Sequence, residues 1–482
     1  MKSKIIQENL RFVGREYEKR FLKDIIANQE EALIIITHGR RRVGKTELLE
    51  QTFRDRNILK FEGIEGKPAH FQQQHVLMEL SQYAQEPLLS KVSISRWLEI
   101  FELIYPYIQT GKWTLYFEEL QWLADYQTDF IADLKYAWDN FFKNNHELIL
   151  ILCGSSPSFM IERVLKSKAL YNRSQYELPL KPFSFQEART FLPKRSASEV
   201  MDAYLILGGM PEYLKRANQD SSVLLAIAKQ SFVPGGFFVH ECERIFTSSM
   251  ANNRNYQKIV DFLSHRRFAT RIEIQKTLKL ETGGTLSTLL FDLEESGLIQ
   301  SYVPFYAKEP SKLKRYTIAD SYLQFYYTFI QPKKKAIEAG DFVSNPLSGL
   351  RMAALDQWKG FSFERFCRNN HRWIAKSLGF EMVEYRCGAY FNRALEAKSP
   401  GFQMDLIFER ADKVYTVVEI KYSKVKTGTE VIAELDQKIE RFKQNPPKKN
   451  YSIQRILIAG GGVETALINA HYFDRILTLE DF

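Results

Sequence analysis

The 482-residue chain is 45% hydrophobic and 26% charged, carries a formal net charge of +9 and has four cysteines. Its length exceeds a single core and predicts about two to four domains. Without C-x-x-C spacing the cysteines exclude a disulfide framework or zinc site, and no apolar run approaches the roughly 18 residues of a membrane span. Residues 1–9 lack the apolar segment of a signal peptide, so cytoplasmic residence without a membrane partner is expected. The charge is compatible with nucleic acid, but a chain of this size also carries it diffusely.

The first informative element is the apolar run 32–37, a predicted buried strand. It leads into Gly39-Arg40-Arg41-Arg42-Val43-Gly44-Lys45-Thr46, which fills G-x-x-x-x-G-K-[ST] at every fixed position. Glu47-Leu48-Leu49-Glu50 then reads as the first turns of a helix. Strand, loop and helix are the setting that polyphosphate binding needs. Gly39 and Gly44 let backbone N–H groups turn inward, and the helix N-terminus adds about half a positive charge. Lys45 is expected to reach the β- and γ-phosphates and the Thr46 hydroxyl to ligate Mg²⁺. The chain is therefore expected to bind a nucleoside triphosphate.

Next, Thr114-Leu115-Tyr116-Phe117-Glu118-Glu119 reads as a strand with two carboxylates at its tip. Glu118 is expected to hold the metal ion and Glu119 to orient or deprotonate the attacking water. A further buried strand, 148–153, ends in Gly154-Ser155-Ser156. Strands apolar on both faces and separated by helical stretches predict a parallel α/β sheet, with ligands beyond the carboxyl ends of its strands.

These segments, with Phe12-Val13-Gly14-Arg15-Glu16, Glu118-Glu119-Leu120-Gln121, Leu170-Tyr171-Asn172-Arg173 and Gly208-Gly209-Met210-Pro211-Glu212-Tyr213-Leu214, resemble the AAA+-related ATPases described largely from archaea, over roughly residues 10–330. The resemblance implies ATP as the nucleotide. It further implies a γ-phosphate contact from Ser155 or Ser156, a helical lid opened near base and sugar by the segment containing Pro211, and a phosphate contact from Arg173. One position departs from the family pattern, which has Asp-Glu where this chain has Glu118-Glu119. The extra methylene moves the carboxylate by about 1.5 Å, and a misplacement near 1 Å costs about 10²-fold in rate. Slow turnover is expected.

Between about 250 and 330 the pattern is three helices followed by a β-rich tail, the outline of a winged helix-turn-helix. Residues 272–277 form the expected second helix. After Gly283-Gly284, Leu286, Leu289, Leu290 and Leu293 lie on one face of the third. Its other face is expected to expose Asp292, Glu294 and Glu295, which oppose phosphate. Arg266, Arg267, Lys312, Lys314 and Arg315 supply basic charge near the wing. Nonspecific DNA contact through the wing and a packing role are both open. The aromatic run 322–329 reads as core.

Gln331-Pro332-Lys333-Lys334-Lys335 is expected to begin a linker reaching about residue 350. Beyond it, a hairpin turning at Ala411-Asp412-Lys413 places Asp405 directly opposite Glu419, seven positions either side of Asp412. Cross-strand partners have Cβ atoms about 4.5–5.5 Å apart, and like charges there are destabilising unless a cation lies between them. Lys421 shares the face of Glu419, as Gln403 is expected to share that of Asp405, while Val418 and Ile420 turn to the other side. This D…E-x-K pattern resembles the restriction-endonuclease-like nuclease superfamily. The resemblance implies Mg²⁺ on Asp405 and Glu419, Lys421 beside the attacking water, and help from Glu364 on the first helix. It also implies phosphate contacts from Gln437 or Lys438.

The expected architecture is α/β: a P-loop core over 1–197, a helical lid over 198–248, a winged helix-turn-helix over 249–332, a linker over 333–350 and an α+β nuclease-like domain over 351–482. ATP and Mg²⁺ are the expected cofactors. DNA, a second copy of the chain and a protein partner are the candidate partners. Cleavage of DNA and a non-cleaving regulatory switch are both compatible with the motifs.

Overall fold

A computed structural model describes residues 6–10, 12–167, 170, 174–249, 253–279, 284–305, 314–392, 402–444 and 446–482. Five parallel strands form the amino-terminal sheet: β1 (Leu33–His38), β2 (Asn57–Glu62), β3 (Trp113–Glu118), β4 (Ile149–Gly154) and β5 (Ser174–Pro179), in the order β2-β3-β4-β1-β5. Helices cover both faces, which is why the strands are apolar throughout rather than alternating. Ile34, Ile36, Phe61, Leu115, Phe117 and Leu150 enter one hydrophobic cluster, whereas Leu33, Ile35, Ile58, Tyr116 and Ile151 enter another. Helix α1 (Lys45–Phe53) follows β1 directly after the glycine-rich loop.

Four helices come next: α2 (Ala197–Leu207), α3 (Pro211–Ala217), α4 (Val223–Phe232) and α5 (Phe237–Ser249). Among the described residues no single helix is long and apolar enough to cross a membrane. The chain then runs through α6 (Arg254–Ser264), the short strand β6 (Ala269–Thr270), α7 (Arg271–Leu278), α8 (Gly284–Glu295), β7 (Ile299–Tyr302) and β8 (Arg315–Ile318). These three strands form a small antiparallel sheet in the order β6-β8-β7. Gly283, Tyr306 and Lys312 lie outside the described residues. Tyr322, Phe325, Tyr326, Tyr327 and Phe329 are buried, as core-forming aromatics.

Two expectations are corrected here. Asp292 is buried and not exposed: it accepts a hydrogen bond from the Tyr256 hydroxyl, and α8 packs against Pro157–Phe159 of the amino-terminal unit. Burial raises the Asp292 pKa against the pull of Tyr256 and Ser158. A leucine stripe identifies one covered face of a helix, but α8 is covered on a second. Glu294 is half-buried and faces Lys314 at 3.6 Å, leaving Glu295 exposed. The expected linker is likewise folded. Gln331–Lys333 is a 3₁₀ turn with Pro332 in its first turn, where the missing N–H costs nothing. Lys334–Ala339 continues as an α-helix, and Pro346–Leu350 packs on α4 with Gly349 and Leu350 buried.

The carboxyl-terminal sheet is mixed. Helix α9 (Met352–Asn369) leads to β9 (Tyr385–Asn392), β10 (Phe402–Arg410), β11 (Val414–Lys421), α10 (Glu430–Gln444), β12 (Ser452–Ala459) and β13 (Arg475–Thr478). The strand order is β13-β12-β11-β10-β9, antiparallel from β9 to β11 and parallel from β11 to β13. Gly401, just before β10, lies outside the described residues. Asp202 on α2 joins this sheet to the helices before it. It accepts from Lys359 Nζ of α9 at 2.9 and 3.1 Å and from the Tyr422 hydroxyl at 2.8 Å, with Lys359 only 2% exposed.

Candidate functional site

The glycine-rich loop is shaped by close approach and by handedness. A Cβ on Gly39 would meet the Leu180 carbonyl oxygen at 2.3 Å, so no larger residue fits. Gly44 has open space around it but a φ of 93°, the left-handed region glycine enters without strain. Lys45 Nζ donates to the carbonyls of Gly39 at 2.8 Å and Arg40 at 3.2 Å, across the mouth of the loop. Buried Arg15 donates to the Val43 carbonyl at 2.8 Å and so pins the loop from behind.

The three arginines tie the loop to distant elements. Arg40 Nη1 meets Asp320 Oδ2 at 2.5 Å, and Arg42 Nη1 meets Glu241 Oε2 of α5 at 2.6 Å. Glu241 also accepts from the Tyr213 hydroxyl at 2.7 Å. Burial raises the Glu241 pKa, opposed by Tyr213 and Arg42. Arg41 is more exposed, reaching Glu65 at 3.4 Å and lying over the Trp122 ring. Any contribution of Arg40 and Arg42 to phosphate therefore comes from their backbone N–H groups, since both guanidiniums are committed elsewhere. Pro211 opens α3, where its fixed φ suits the first helical turn.

Glu118 lies at the end of β3 beside the loop. One carboxylate oxygen accepts from the Thr46 hydroxyl, and the other is ion-paired with Lys60 of β2. Lys60 also reaches Glu50 of α1 at 3.1 Å and is 9% exposed. Burial pulls the lysine pKa down, but Glu118 and Glu50 over-compensate and hold it above the ordinary value. The longer side chain at 118 can thus span Thr46 and Lys60 together. Lys60 was not anticipated from the motifs. Its signal was a lysine inside the apolar strand Asn57-Ile58-Leu59-Lys60-Phe61-Glu62, where burial demands an anionic partner.

Glu119 follows with a left-handed φ of 52°. Its Oε2 accepts from Ser155 Oγ at 2.5 Å and from Gln121 Nε2 at 2.7 Å, and Gln121 also donates to Ser155 Oγ at 3.0 Å. All three are buried. The carboxylate is held in one orientation at the sheet edge that carries the loop, and Ser155 touches it directly. Arg173 lies outside the described residues.

A second cluster forms at the carboxyl-terminal sheet. The ladder pairs Leu406 with Val418, Ile407 with Val417, Phe408 with Thr416 and Glu409 with Tyr415, and Asp405 and Glu419 each follow directly on its last pair. Asp405 Oδ2 accepts from the Ile420 N–H at 3.1 Å. Burial, then Glu419 and Glu364, push the Asp405 pKa up to about 7, against Lys438 and that N–H. Glu419, 1% exposed, receives Lys438 Nζ of α10 at 2.8 and 2.7 Å and Lys421 Nζ at 3.3 Å. Lys421 also pairs with Glu434 at 2.7 Å. Arg368 bridges Glu364 at 3.3 Å and the Asp405 carbonyl at 3.2 Å.

Gln403 is the exception. A β-bulge between Met404 and Ile407 breaks the alternation along β10, and Gln403 instead lines a cleft with Leu406. Lys438 meets Glu419, and Gln437 is placed on α10. Val418 and Ile420 enter the core on the far side.

Both clusters present hard oxygen donors of the kind Mg²⁺ prefers: Thr46 with Glu118, and Asp405 with Glu419. Among the described residues no group of three or more His, Cys, Asp or Glu side chains is arranged to hold a metal ion. Any cation would therefore draw its remaining ligands from water or a bound phosphate.

Comparison with known proteins places an ATPase domain predominantly from Archaea at residues 12–217. An uncharacterized protein of Methanocaldococcus jannaschii is 26% identical over 419 residues, spanning 86% of this chain and 88% of the relative. Among solved structures, a Walker-type ATPase of Pyrococcus abyssi is similar over 68% of this chain and 98% of its own, with 19% identity and a TM-score of 0.47. The ORC2 protein of Aeropyrum pernix covers 70% and 93%, with 13% identity and a TM-score of 0.42.

Proposed function

We propose that this P-loop ATPase couples binding and slow hydrolysis of ATP to Mg²⁺-dependent capture or cleavage of DNA at the Asp405–Glu419–Lys421 cluster. In this reading residues 249–332 are a winged helix-turn-helix, which the helix–strand–helix–helix–hairpin order supports, and residues 351–482 are a nuclease-like domain. The observation that carries the proposal is Asp405, a buried carboxylate beside a second buried carboxylate, Glu419, with its pKa raised first by burial and then by that neighbour. Structural ion pairs rarely leave two acids facing each other; sites that bind cations do.

At the nucleotide end, the backbone of residues 39–44 and Lys45 cradle the phosphates, Thr46 and Glu118 hold the metal, and Glu119, fixed by Ser155 and Gln121, orients water. At the far end Asp405 and Glu419 hold the cation, Lys421 stands beside the nucleophile, and Glu364 with Arg368 keeps Asp405 in place. A divalent cation at either place would supply positive charge for phosphate oxygens and a more acidic water. Hydrolysis is slow because Glu118 is neutralised by Lys60 as well as displaced by its extra methylene.

A second reading is a switch in which ATP sets domain orientation without any cutting. The bidentate contact of Lys438 on Glu419 favours it, because an ammonium already balances that carboxylate. Two assays decide. ATP turnover should fall at least tenfold in Lys45→Ala and Glu119→Gln; unchanged turnover removes the assigned roles. Mg²⁺- or Mn²⁺-dependent nicking should be seen in the wild type and lost in Lys421→Ala. Wild-type protein that cuts neither single- nor double-stranded DNA overturns the nuclease reading and leaves the switch.

A further inference from the structure

A cleft of about 1370 Å³ separates the small antiparallel sheet from α9, β9 and β10. Its charge is one-sided. Arg266, Arg267 and Arg315 line one wall and Arg365 and Arg368 the other, against a single lining carboxylate among the described residues, Glu364. Three exposed aromatic rings face into the same space: Tyr302 at 40%, Phe361 at 51% and Phe391 at 57% of their surface. Exposed rings of this size gathered at one place mark a binding surface.

Several arginines are held ready for a ligand. Arg315 lies over the Phe268 ring at 3.9 Å and Arg266 over Phe262 at 4.5 Å, stacks that fix the guanidinium planes and leave N–H edges available. The Glu273 carboxylate acts on both, but is engaged in capping α7 through Thr270. Arg365 has one hydrogen bond, to Ser362 Oγ at 3.2 Å, and among the described residues no ion pair. Burial, then Arg368, pull its pKa down to about 10 despite Glu364. An anion in the cleft relieves both penalties. Arg368, on the same helix, also touches the Asp405 carbonyl, so the cleft leads to the carboxylate cluster.

We infer that this cleft binds single-stranded nucleic acid, with phosphates on the arginines and unpaired bases on Tyr302, Phe361 and Phe391. A duplex stacks its bases on one another and offers no ring faces to these side chains, whereas a single strand does. The occupant is thus selected by the aromatic rings and attracted by the arginines. Recognition is sequence-tolerant, because every base has a π-face. The inference deepens the proposed DNA-handling function and names the form of the substrate.

The test is fluorescence anisotropy on the full chain in EDTA, with labelled oligo-dT, oligo-U and a blunt duplex of about 20 nucleotides, above the usual site size. Either single strand should bind at least about tenfold tighter than duplex. Phe361→Ala/Phe391→Ala should lose about tenfold or more for single strands, the effect of removing stacking partners, with little change for duplex. Both rings are exposed, and an unchanged ATPase rate reports that the variant is folded. Arg365→Gln/Arg368→Gln should lower the slope of log affinity against log salt by about 1.4, at roughly 0.7 per phosphate contact on single strands. Equal or tighter duplex binding, or single-strand affinity unaltered by losing both rings, overturns the inference. Metal-dependent cutting of duplex with no single-strand preference would sink this inference and spare the proposed function. Single-strand binding without cutting of any substrate would uphold this inference and remove only the cleavage part of the proposed function.

Discussion

Replacing Lys60 by methionine keeps the side-chain length and removes the ammonium that faces Glu118 and Glu50. Both members of the central pair are buried, Lys60 at 9% and Glu118 at 5% exposure. Breaking such a pair from one side costs about 3–5 kcal/mol, because a desolvated carboxylate is left uncompensated. For an ATPase unit of about 200 residues, each kcal/mol shifts melting by about 2–4 °C, so Lys60→Met should melt about 6–20 °C lower in EDTA. Removing both charges, in Lys60→Met/Glu118→Gln, should recover most of that loss, since an uncharged pair of similar volume is close to neutral. Saturating Mg²⁺ and ATP should raise the melting temperature of the single variant more than that of the wild type, because the cation takes over the charge balance at Glu118. Scanning calorimetry or dye-based melting reads all five samples. A single variant within about 2 °C of wild type in EDTA, or a double variant no better than the single, would refute the reasoning.

The remaining predictions concern other places in the chain. Asp405 holds its proton to about pH 7 in the folded protein, but to near 3.9 in an unfolded chain. Its stabilising contribution is therefore fully present below about pH 4 and lost as pH rises through about 7. Asp405→Asn should remove that slope and be more stable than wild type at neutral pH without metal, as chemical denaturation across the window will read. For the Arg40–Asp320 pair, Arg40→Gln and Asp320→Asn should each weaken nucleotide binding severalfold, and their double-mutant cycle should return about 0.5–3 kcal/mol of coupling; strict additivity contradicts a shared contact. Gly209→Ala would place a Cβ 2.0 Å from the Phe183 carbonyl oxygen and should cost about 1–3 kcal/mol of stability, whereas Gly284→Ala, with nothing within 4 Å, should melt like wild type.

How far the sequence reached depends on the range of the interaction involved. The phosphate loop was legible because its residues are contiguous and the flanking strand and helix have their own local signals. The register of the hairpin from Leu406–Val418 to Glu409–Tyr415 was legible because a hairpin's turn fixes its pairing, and counting from Asp412 needs no distant information. By contrast, Lys60, Asp320 and Glu241 meet Glu118, Arg40 and Arg42 across 58, 280 and 199 positions of chain, and no periodicity announces such partners. Asp292 was misplaced for a related reason. The leucine stripe of α8 was read correctly as one buried face, but the second covered face is created by Pro157–Phe159 and Tyr256, which only the fold brings there. The segment 331–350 was read from Pro332 and its lysines as a breaker. Proline in the first turn of a short helix is compatible with continued folding, and burial of Leu350 against α4 supplies the stabilisation.

The contact of Asp202 with Lys359 and Tyr422 bears on how the two ends of the molecule communicate. Removing the Asp202 carboxylate would leave the buried Lys359 ammonium with only the half-exposed Asp356 beside it, and taking out one partner of a buried pair costs about 3–5 kcal/mol, a large fraction of ordinary folding stability. The carboxyl-terminal sheet is thus bolted to the helices beside the nucleotide loop through this buried contact. In the proposed reading a displacement at the nucleotide loop reaches Asp405 through this contact, and an alanine at position 202 would be the place to slip the bolt.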